Sequence, residues 1–166
     1  MNNKKIKGNT FIEDSYCGLY CGACEILLAY KKAMEHNTVA DWDNLPEEFS
    51  DHINKAEVKC LGCKTDTVFA GCRRCQIRSC AREKGVEYCI DCECYPCELI
   101  NQMKVRLEAV KNILPHTSAI IGNLKDIQKM GRKDWLKYQK ELWSCPTCSA
   151  RLSWYQRKCT QCNQKA

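Results

Sequence analysis

The chain has 166 residues and a formal net charge of +6, and 16 of the residues are cysteine. This length allows one medium domain with a small appendage and excludes a barrel enzyme of about 250 residues. A cysteine content near one tenth is typical of a disulfide scaffold in a secreted protein or of a metal scaffold in an intracellular one.

The spacing of the cysteines favours metal. Fourteen of them fall into Cys-x-x-Cys pairs, and two thiolates three residues apart can share one tetrahedral ion. Residues 1–14, which we expect to form a flexible N-terminus, contain no apolar stretch of signal-peptide length. No segment reaches the roughly 18 apolar residues of a membrane span. We therefore expect a cytoplasmic, metal-binding protein with no membrane association.

Strong helix formers predict a helix over residues 24–34, directly after a cysteine loop. A second, short helix is predicted to begin at Pro46, with Asn44 as its cap, and to end before Cys60. Between Cys60 and Cys97 the cysteines recur too often for long regular elements. Metal is therefore expected to replace the apolar core there, apart from a short helix over 77–84.

The later part of the chain is predicted to be helical. A helix opened by Pro96 and ended by Pro115 carries an apolar stripe at residues 100, 103, 107, 110 and 114. We expect this stripe to pack in the core. Further helices are predicted over residues 119–130 and 134–143.

These patterns predict a small metal-stabilised α-rich fold with irregular zinc knuckles, followed by a C-terminal zinc ribbon with a short β-hairpin. The expected organisation is a flexible N-terminus at 1–14, a cysteine-rich metal-binding domain at 15–100, a helical segment at 101–143 and the zinc ribbon at 144–166. The ribbon is the clearest motif, because two knuckles lie ten residues apart, at Cys145, Cys148, Cys159 and Cys162. The hairpin is expected over residues 149–158.

Spacing alone does not fix how the other twelve cysteines are grouped into metal sites. Spacing like that of the ribbon predicts one site from Cys60, Cys63, Cys72 and Cys75. The knuckles at 89/92 and 94/97 are separated by one residue, so we expect them to serve two ions. One of these sites is assigned to Cys80, Cys89, Cys92 and Cys97, and the other to Cys17, Cys21, Cys24 and Cys94. About four zinc ions per chain are thus predicted.

An alternative concerns Cys17, Cys21 and Cys24, whose interval also holds open iron–sulfur clusters in radical enzymes. The chain cannot supply the barrel of those enzymes. An iron–sulfur cluster or a three-ligand zinc ion at this centre, serving a redox or catalytic role, remains the second hypothesis. A catalytic role is the weaker one, because the sequence contains no general base near the knuckles, no phosphate loop and no Ser-His-Asp arrangement.

Charge is distributed unevenly along the chain. Residues 1–97 contain two more acidic than basic residues, whereas residues 98–166 contain eight more basic than acidic ones. We expect a protein or nucleic-acid partner, if there is one, to bind the basic residues of 98–166. The basic residues at 73, 74, 78, 82 and 84 are expected beside the thiolate sites. His36, His52 and His116 are expected at the surface, and Trp154 and Tyr155 are expected to cover the ribbon core.

Several motifs together resemble an uncharacterised prokaryotic cysteine-rich family, domain of unknown function 3795. The resemblance rests on the segments YCGLYCGAC at 16–24, CLGC at 60–63, CQIRSCAREKGVEYC at 75–89 and YPCE at 95–98. Gly131, Trp135, Gln139 and residues 143–155 are similar to a helix-plus-ribbon extension in some members. The family usually has an acidic residue where this chain has Cys94, and glycine where it has Ser149.

The resemblance implies zinc binding and no particular activity. The leading hypothesis for function is therefore a non-catalytic zinc-binding module that mediates macromolecular interaction.

Overall fold

The computed structural model describes residues 10–50, 55–112, 114–156 and 158–165. Within these ranges the chain forms seven α-helices: α1 Glu25–Glu35, α2 Glu47–Ser50, α3 Ala70–Arg73, α4 Gln76–Lys84, α5 Glu98–Val110, α6 Ile120–Met130 and α7 Arg132–Leu142. Short 3-10 helices cover Cys21–Ala23, Trp42–Asn44, Cys89–Asp91 and Pro115–Ala119. The α-rich part of the predicted fold class is confirmed.

The strongly periodic helices lie close to their predicted positions. α1, α4, α6 and α7 each differ from the predicted bounds by one or two residues, which is the usual uncertainty of a helix end. α4 ends at Gly85, which adopts φ +65° and forms the left-handed cap that glycine accepts without strain. α2 begins after Pro46 as predicted, but the residues that follow it, 51–54, lie outside the described part of the chain.

The apolar stripe of α5 is buried less than we expected. Ile100 is the one residue of this helix that is fully buried, whereas residues 103, 107 and 110 are half-buried and Val105 is 72% exposed. The helix begins at Glu98, two residues after Pro96, and ends at Val110, before Pro115. α5 therefore packs on the body mainly through its first turn.

One core cluster joins the first cysteine loop to the last two helices. Tyr20 packs edge-on against Trp135 of α7, with ring centroids 5.9 Å apart. Ala23, Tyr88, and Leu124 and Ile127 of α6 complete this cluster. Gly18 lies so close to α6 that an added Cβ would approach the Ile120 carbonyl oxygen to 2.7 Å.

A second core cluster joins α1 to the ribbon segment. It is formed by Ile26, Phe49, Val58, Cys60, Phe69 and Tyr155. Trp42 stacks on Phe49 and donates its indole N–H to the Ala56 carbonyl oxygen over 2.6 Å. The apolar core therefore extends to the knuckle at Cys60.

The predicted hairpin over residues 149–158 is wrong, because the described residues contain no β-strand. Isolated antiparallel bridges at Ser144–Arg151 and Lys158–Lys165 instead close each knuckle separately. The intervening segment donates its backbone N–H groups to the body: Trp154 to the Ala23 carbonyl oxygen over 3.0 Å, and Tyr155 to Glu25 Oε1 over 2.7 Å. These contacts replace pairing across a hairpin and attach the ribbon segment to α1.

Among the residues that the structure describes, no helix combines the length and the apolar character needed to cross a bilayer.

Candidate metal centres

The ribbon cysteines form a tetrathiolate set. The ligand atoms of Cys145, Cys148, Cys159 and Cys162 all lie within 4.8 Å of one another. Two contacts join the knuckles, with 3.5 Å between the sulfurs of Cys145 and Cys162 and 3.5 Å between those of Cys148 and Cys159. Tetrahedral bonds of about 2.3 Å place sulfurs roughly 3.8 Å apart, so the set can hold one metal ion.

The two ribbon knuckles repeat the same local structure. Ser149 and Asn163, each directly after the second cysteine of its knuckle, adopt φ +59° and +58°. Backbone N–H groups of Cys148 and Thr147 lower the pKa of Cys145 to about 6. Cys159 has a lowered pKa from the equivalent groups of Cys162 and Gln161. Because metals bind the thiolate, these N–H groups favour the binding form.

A second set of cysteines lines a small cavity between α4 and α5. Its volume is about 20 Å³, room for about one water-sized particle. Cys80, Cys89, Cys92 and Cys97 line it together with apolar side chains and Lys84. These are the four residues that the sequence assigned to one site. They are spaced more widely than the ribbon sulfurs: among the described residues, only the ribbon cysteines have ligand atoms that all lie within 4.8 Å of one another.

The remaining body cysteines, apart from Cys94, lie in three segments that come before α4 in the sequence. We call them the thiolate basin: Cys17, Cys21, Cys24, Cys60, Cys63, Cys72 and Cys75. Burial raises the pKa of Cys21 well above its usual value, and the charges of Cys63, Cys24 and Cys60 raise it further. Burial and the charges of Cys60, Cys75 and Cys17 raise the pKa of Cys72 to about 11. Both predicted sites that use basin residues stay predictions.

Cys94 does not belong to the thiolate basin. Its side chain is exposed, and Lys84 Nζ donates to its sulfur over 3.5 Å. Burial raises the pKa of Cys17, Cys21 and Cys24, and the charges of basin sulfurs raise it further. Burial and the charge of Cys17 likewise raise the pKa of Cys89 in the cavity set. None of the sixteen cysteines, all of which lie in the described ranges, forms a disulfide.

The basic residues near the knuckles have different partners. Arg78 donates to the carbonyl oxygens of Cys63 and Thr65 over 2.9 and 2.7 Å, so it supports a knuckle backbone. Arg82 pairs with exposed Asp66 over 2.8 Å. Arg78 and Lys84 thus adjoin the cysteine knuckles, as expected.

The histidines and the ribbon aromatics differ in part from expectation. Trp154 and Tyr155 pack against the two body clusters and not over the ribbon core, so their expected position is wrong. His116 is half-buried and stacks on Trp154 with ring centroids 3.8 Å apart, so the expected surface position is wrong for this residue. Burial lowers its pKa to about 4. His36 is exposed as expected, and His52 lies outside the described residues.

Two buried acidic residues of structural importance were not recognised from sequence. Asp14 is fully buried and accepts hydrogen bonds from Tyr88 over 2.5 Å, from Lys64 over 2.7 Å and from Arg132 over 3.1 Å. Glu25, also buried, accepts the Tyr155 N–H. Acidic residues are seldom buried, so neither pattern nor composition marks these two.

Comparison with known proteins gives one match, to a protein family. Neither the curated proteins nor the solved structures contain a match to this chain. The family model described as "Protein of unknown function (DUF3795)" matches residues 13–102, which span the basin and the cavity cysteines. By this match over more than half of its length, the chain belongs to the DUF3795 family.

Proposed function

We propose that the protein is a zinc-stabilised module whose thiolate-bound ions hold the fold together and take no part in chemistry. The observation that carries the proposal is the ribbon set, where four sulfurs from two knuckles lie within 4.8 Å of one another. Four protein thiolates complete the tetrahedral coordination of a metal ion and leave no open position for a substrate or water. A closed site of this kind contributes its binding free energy to folding.

The chemistry of the ligands supports zinc. Four thiolates in a tetrahedral arrangement suit zinc or iron–sulfur chemistry, and zinc is the usual ion of paired knuckles at this spacing. Calcium and magnesium prefer oxygen ligands and do not suit such a set.

The cavity between α4 and α5 is the second proposed zinc site. Cys80, Cys89, Cys92 and Cys97, which line the cavity, are its proposed ligands. Its apolar walls, which include Ile77 and Ile100, exclude water from the ion. An ion here joins α4 to the first turn of α5.

We propose that a partner binds the basic side of α6 and α7, where Lys125, Lys129, Lys133 and Lys137 are exposed. Arg132 does not belong to this surface, because its guanidinium is paired with Asp14. Affinity for nucleic acid should fall steeply with salt concentration and on charge reversal of the four lysines. Binding that is insensitive to both changes indicates a protein partner that uses another surface.

Metal analysis of anaerobically purified full-length protein tests the central proposal. We expect a colourless protein and about four zinc ions per chain by native mass spectrometry. A brown protein containing iron and sulfide supports the alternative centre at Cys17, Cys21 and Cys24. Two or fewer ions in fully metallated protein contradict the proposed zinc sites.

A further inference from the structure

A cavity separate from the cysteine sites lies where α6, α7 and the ribbon segment meet. Its walls come from Leu19 in the first cysteine loop, from both helices and from Trp154, and none of its described lining residues is a cysteine. Its volume of about 210 Å³ is below the roughly 300–1,000 Å³ of pockets that enclose a drug-sized molecule. A small ligand, or one group of a larger ligand, therefore fits it.

Aromatic rings form much of the wall of this cavity. The described lining residues that carry a ring are Tyr20, His116, Tyr138, Trp143 and Trp154. Trp154 is held by its stacking on His116, with ring centroids 3.8 Å apart, and Tyr20 by its edge-on contact with Trp135 at 5.9 Å. The faces of aromatic rings are negative and attract cations. Part of an aromatic wall is thus already fixed before a ligand binds.

The cavity is open to solvent along α7. Tyr138 and Leu142, one helical turn apart, both line it, and their side chains are 48% and 55% exposed. They are two of the five large apolar side chains that are exposed in the described part of the chain. Exposed apolar side chains beside a cavity are typical of a binding site, because a ligand covers them when it binds.

The charge of the cavity differs from that of the helices around it. Its described lining residues include one carboxylate, that of Asp126, and no lysine or arginine, although four exposed lysines lie elsewhere on α6 and α7. No ion pair of Asp126 is found among the described residues. Burial lowers the pKa of His116 to about 4, so its ring is uncharged at neutral pH. The cavity is therefore negative and favours a cationic ligand.

The polar side chains of the wall indicate which kind of cation fits. The buried amide of Asn123 is already paired, since its Nδ2 donates to the Gly18 carbonyl oxygen over 2.9 Å and its Oδ1 accepts from Gln139 Nε2 over 3.2 Å. A hard metal ion or a primary ammonium group needs several oxygen acceptors to replace its water. An ammonium group that carries methyl groups in place of its hydrogens needs none and is bound by aromatic rings.

We propose that this cavity binds a trimethylammonium group, with Tyr138 and Trp143 contacting its methyl groups and Asp126 balancing its charge. The group can belong to a free molecule such as choline or to a trimethylated lysine side chain, because both present the same charge and the same methyl surface. The inference goes beyond the proposed function, since no metal ion takes part in it.

The test is a calorimetric titration of the full-length protein, with its metal ions bound, against choline and against 3,3-dimethylbutan-1-ol. The alcohol has the shape of choline, but carbon replaces the charged nitrogen. We expect choline to bind at least about tenfold more tightly, because the rings and the carboxylate act on its charge. In a ¹⁵N spectrum the indole N–H signals of Trp143 and Trp154 should shift with choline. Equal affinity for the two molecules, or binding that leaves both indole signals unchanged, overturns the proposal.

A pair of short peptides, one with a single trimethyllysine and one with lysine at the same position, distinguishes the sources of the group. Tighter binding of the trimethylated peptide than of choline supports a protein side chain as the ligand, and the reverse order supports a free molecule. Equal binding of the two peptides contradicts the preference for a methylated ammonium group. Absence of binding by both choline and the trimethylated peptide overturns the proposal.

Matched variants test the two assigned roles. Asp126→Asn should weaken choline binding about tenfold and leave the affinity for the alcohol unchanged. Asp134→Asn removes the same charge from an exposed residue in the first turn of α7 and should bind choline as wild type does. Tyr138→Leu should weaken choline binding, whereas Tyr138→Phe, which retains the ring, should not. Wild-type affinity in both Asp126→Asn and Tyr138→Leu overturns the proposal, and if either variant fails to fold, the comparison of choline with the alcohol on wild type decides it.

Discussion

Arg132, the first residue of α7, donates two hydrogen bonds of 3.1 Å to the buried carboxylate of Asp14. Asp14 also accepts from Lys64, which directly follows a basin knuckle. One carboxylate therefore fixes the start of α7 to the cysteine-rich part of the chain. The basic helical segment and the cysteine-rich part of the chain are joined through it.

Replacing Asp14 by asparagine should destabilise the protein by about 2–3 kcal/mol. The variant removes the buried anion of Lys64 and Arg132 and leaves them the exposed carboxylate of Glu87. Burial opposes ionisation of Asp14, yet hydrogen bonds from Arg132 and Lys64 lower its pKa to about 2. This contribution is complete above pH 4 and is lost as the pH falls toward 2. The difference in urea stability between wild type and variant should thus be constant between pH 7 and 5. Asp66→Asn, which breaks the exposed pair with Arg82, is the control and should cost less than about 1 kcal/mol.

His116 should make the protein less stable as the pH falls below neutrality. Burial lowers its pKa to about 4, so the unfolded chain takes up a proton near pH 6.5 while the folded chain does not. His116→Phe retains a ring against Trp154 and removes this titration. As the pH falls from 7 to 5, the free energy of unfolding of the variant relative to wild type, measured with urea, should rise by about 2 kcal/mol. Equal pH profiles of wild type and His116→Phe would refute the prediction.

Ser149 is strained at the end of its knuckle. Its φ of +59° lies in the left-handed region, which costs a non-glycine residue roughly 1–2 kcal/mol. Ser149→Gly should raise the melting temperature, with a gain of up to about 1 kcal/mol after the entropy cost of glycine. Ser149→Val should lower it. Asn163→Gly at the equivalent position should gain less, because asparagine tolerates this conformation.

Tyr155 should couple the ribbon segment to the body. Its ring packs 5.4 Å from that of Phe49 in the core cluster at α1. Tyr155→Ala should destabilise the whole protein by about 3–5 kcal/mol, while a single cooperative transition remains. Tyr138→Ala, at a side chain that is 48% exposed, is the matched control and should have little effect. Separate melting of the ribbon in Tyr155→Ala with an unchanged body transition would show that the segments are independent.

Cys148→Ser should remove one ion from the protein. Its sulfur is one of four within 4.8 Å, and a closed site loses most of its affinity with one thiolate. The other ions should stay, because their proposed ligands lie between Cys17 and Cys97. Native mass spectrometry should give four ions for Thr147→Ser, a conservative change in the same knuckle, and three for Cys148→Ser. Equal ion counts in the two variants would contradict a ribbon site.

The local features of this protein could be predicted from its amino-acid sequence. Helical periodicity and caps predicted α1, α4, α6 and α7, because these signals act over three or four residues. The spacing of the ribbon knuckles predicted the tetrathiolate set for the same reason, since its ligands need only a short closed loop. Membership of the DUF3795 family was likewise recognisable from the order of the cysteine motifs.

The tertiary structure decided how these parts are joined. Whether residues 149–158 pair with themselves or with α1 depends on the N–H acceptors at Ala23 and Glu25, which are distant in sequence. The burial of Asp14 depends on Lys64 and Arg132 in the same way. Grouping of the body cysteines is also a long-range property, because irregular loops carry no periodic pattern from which their contacts can be read. Spacing shows which thiols can share an ion, and only the packing of the loops selects among those choices.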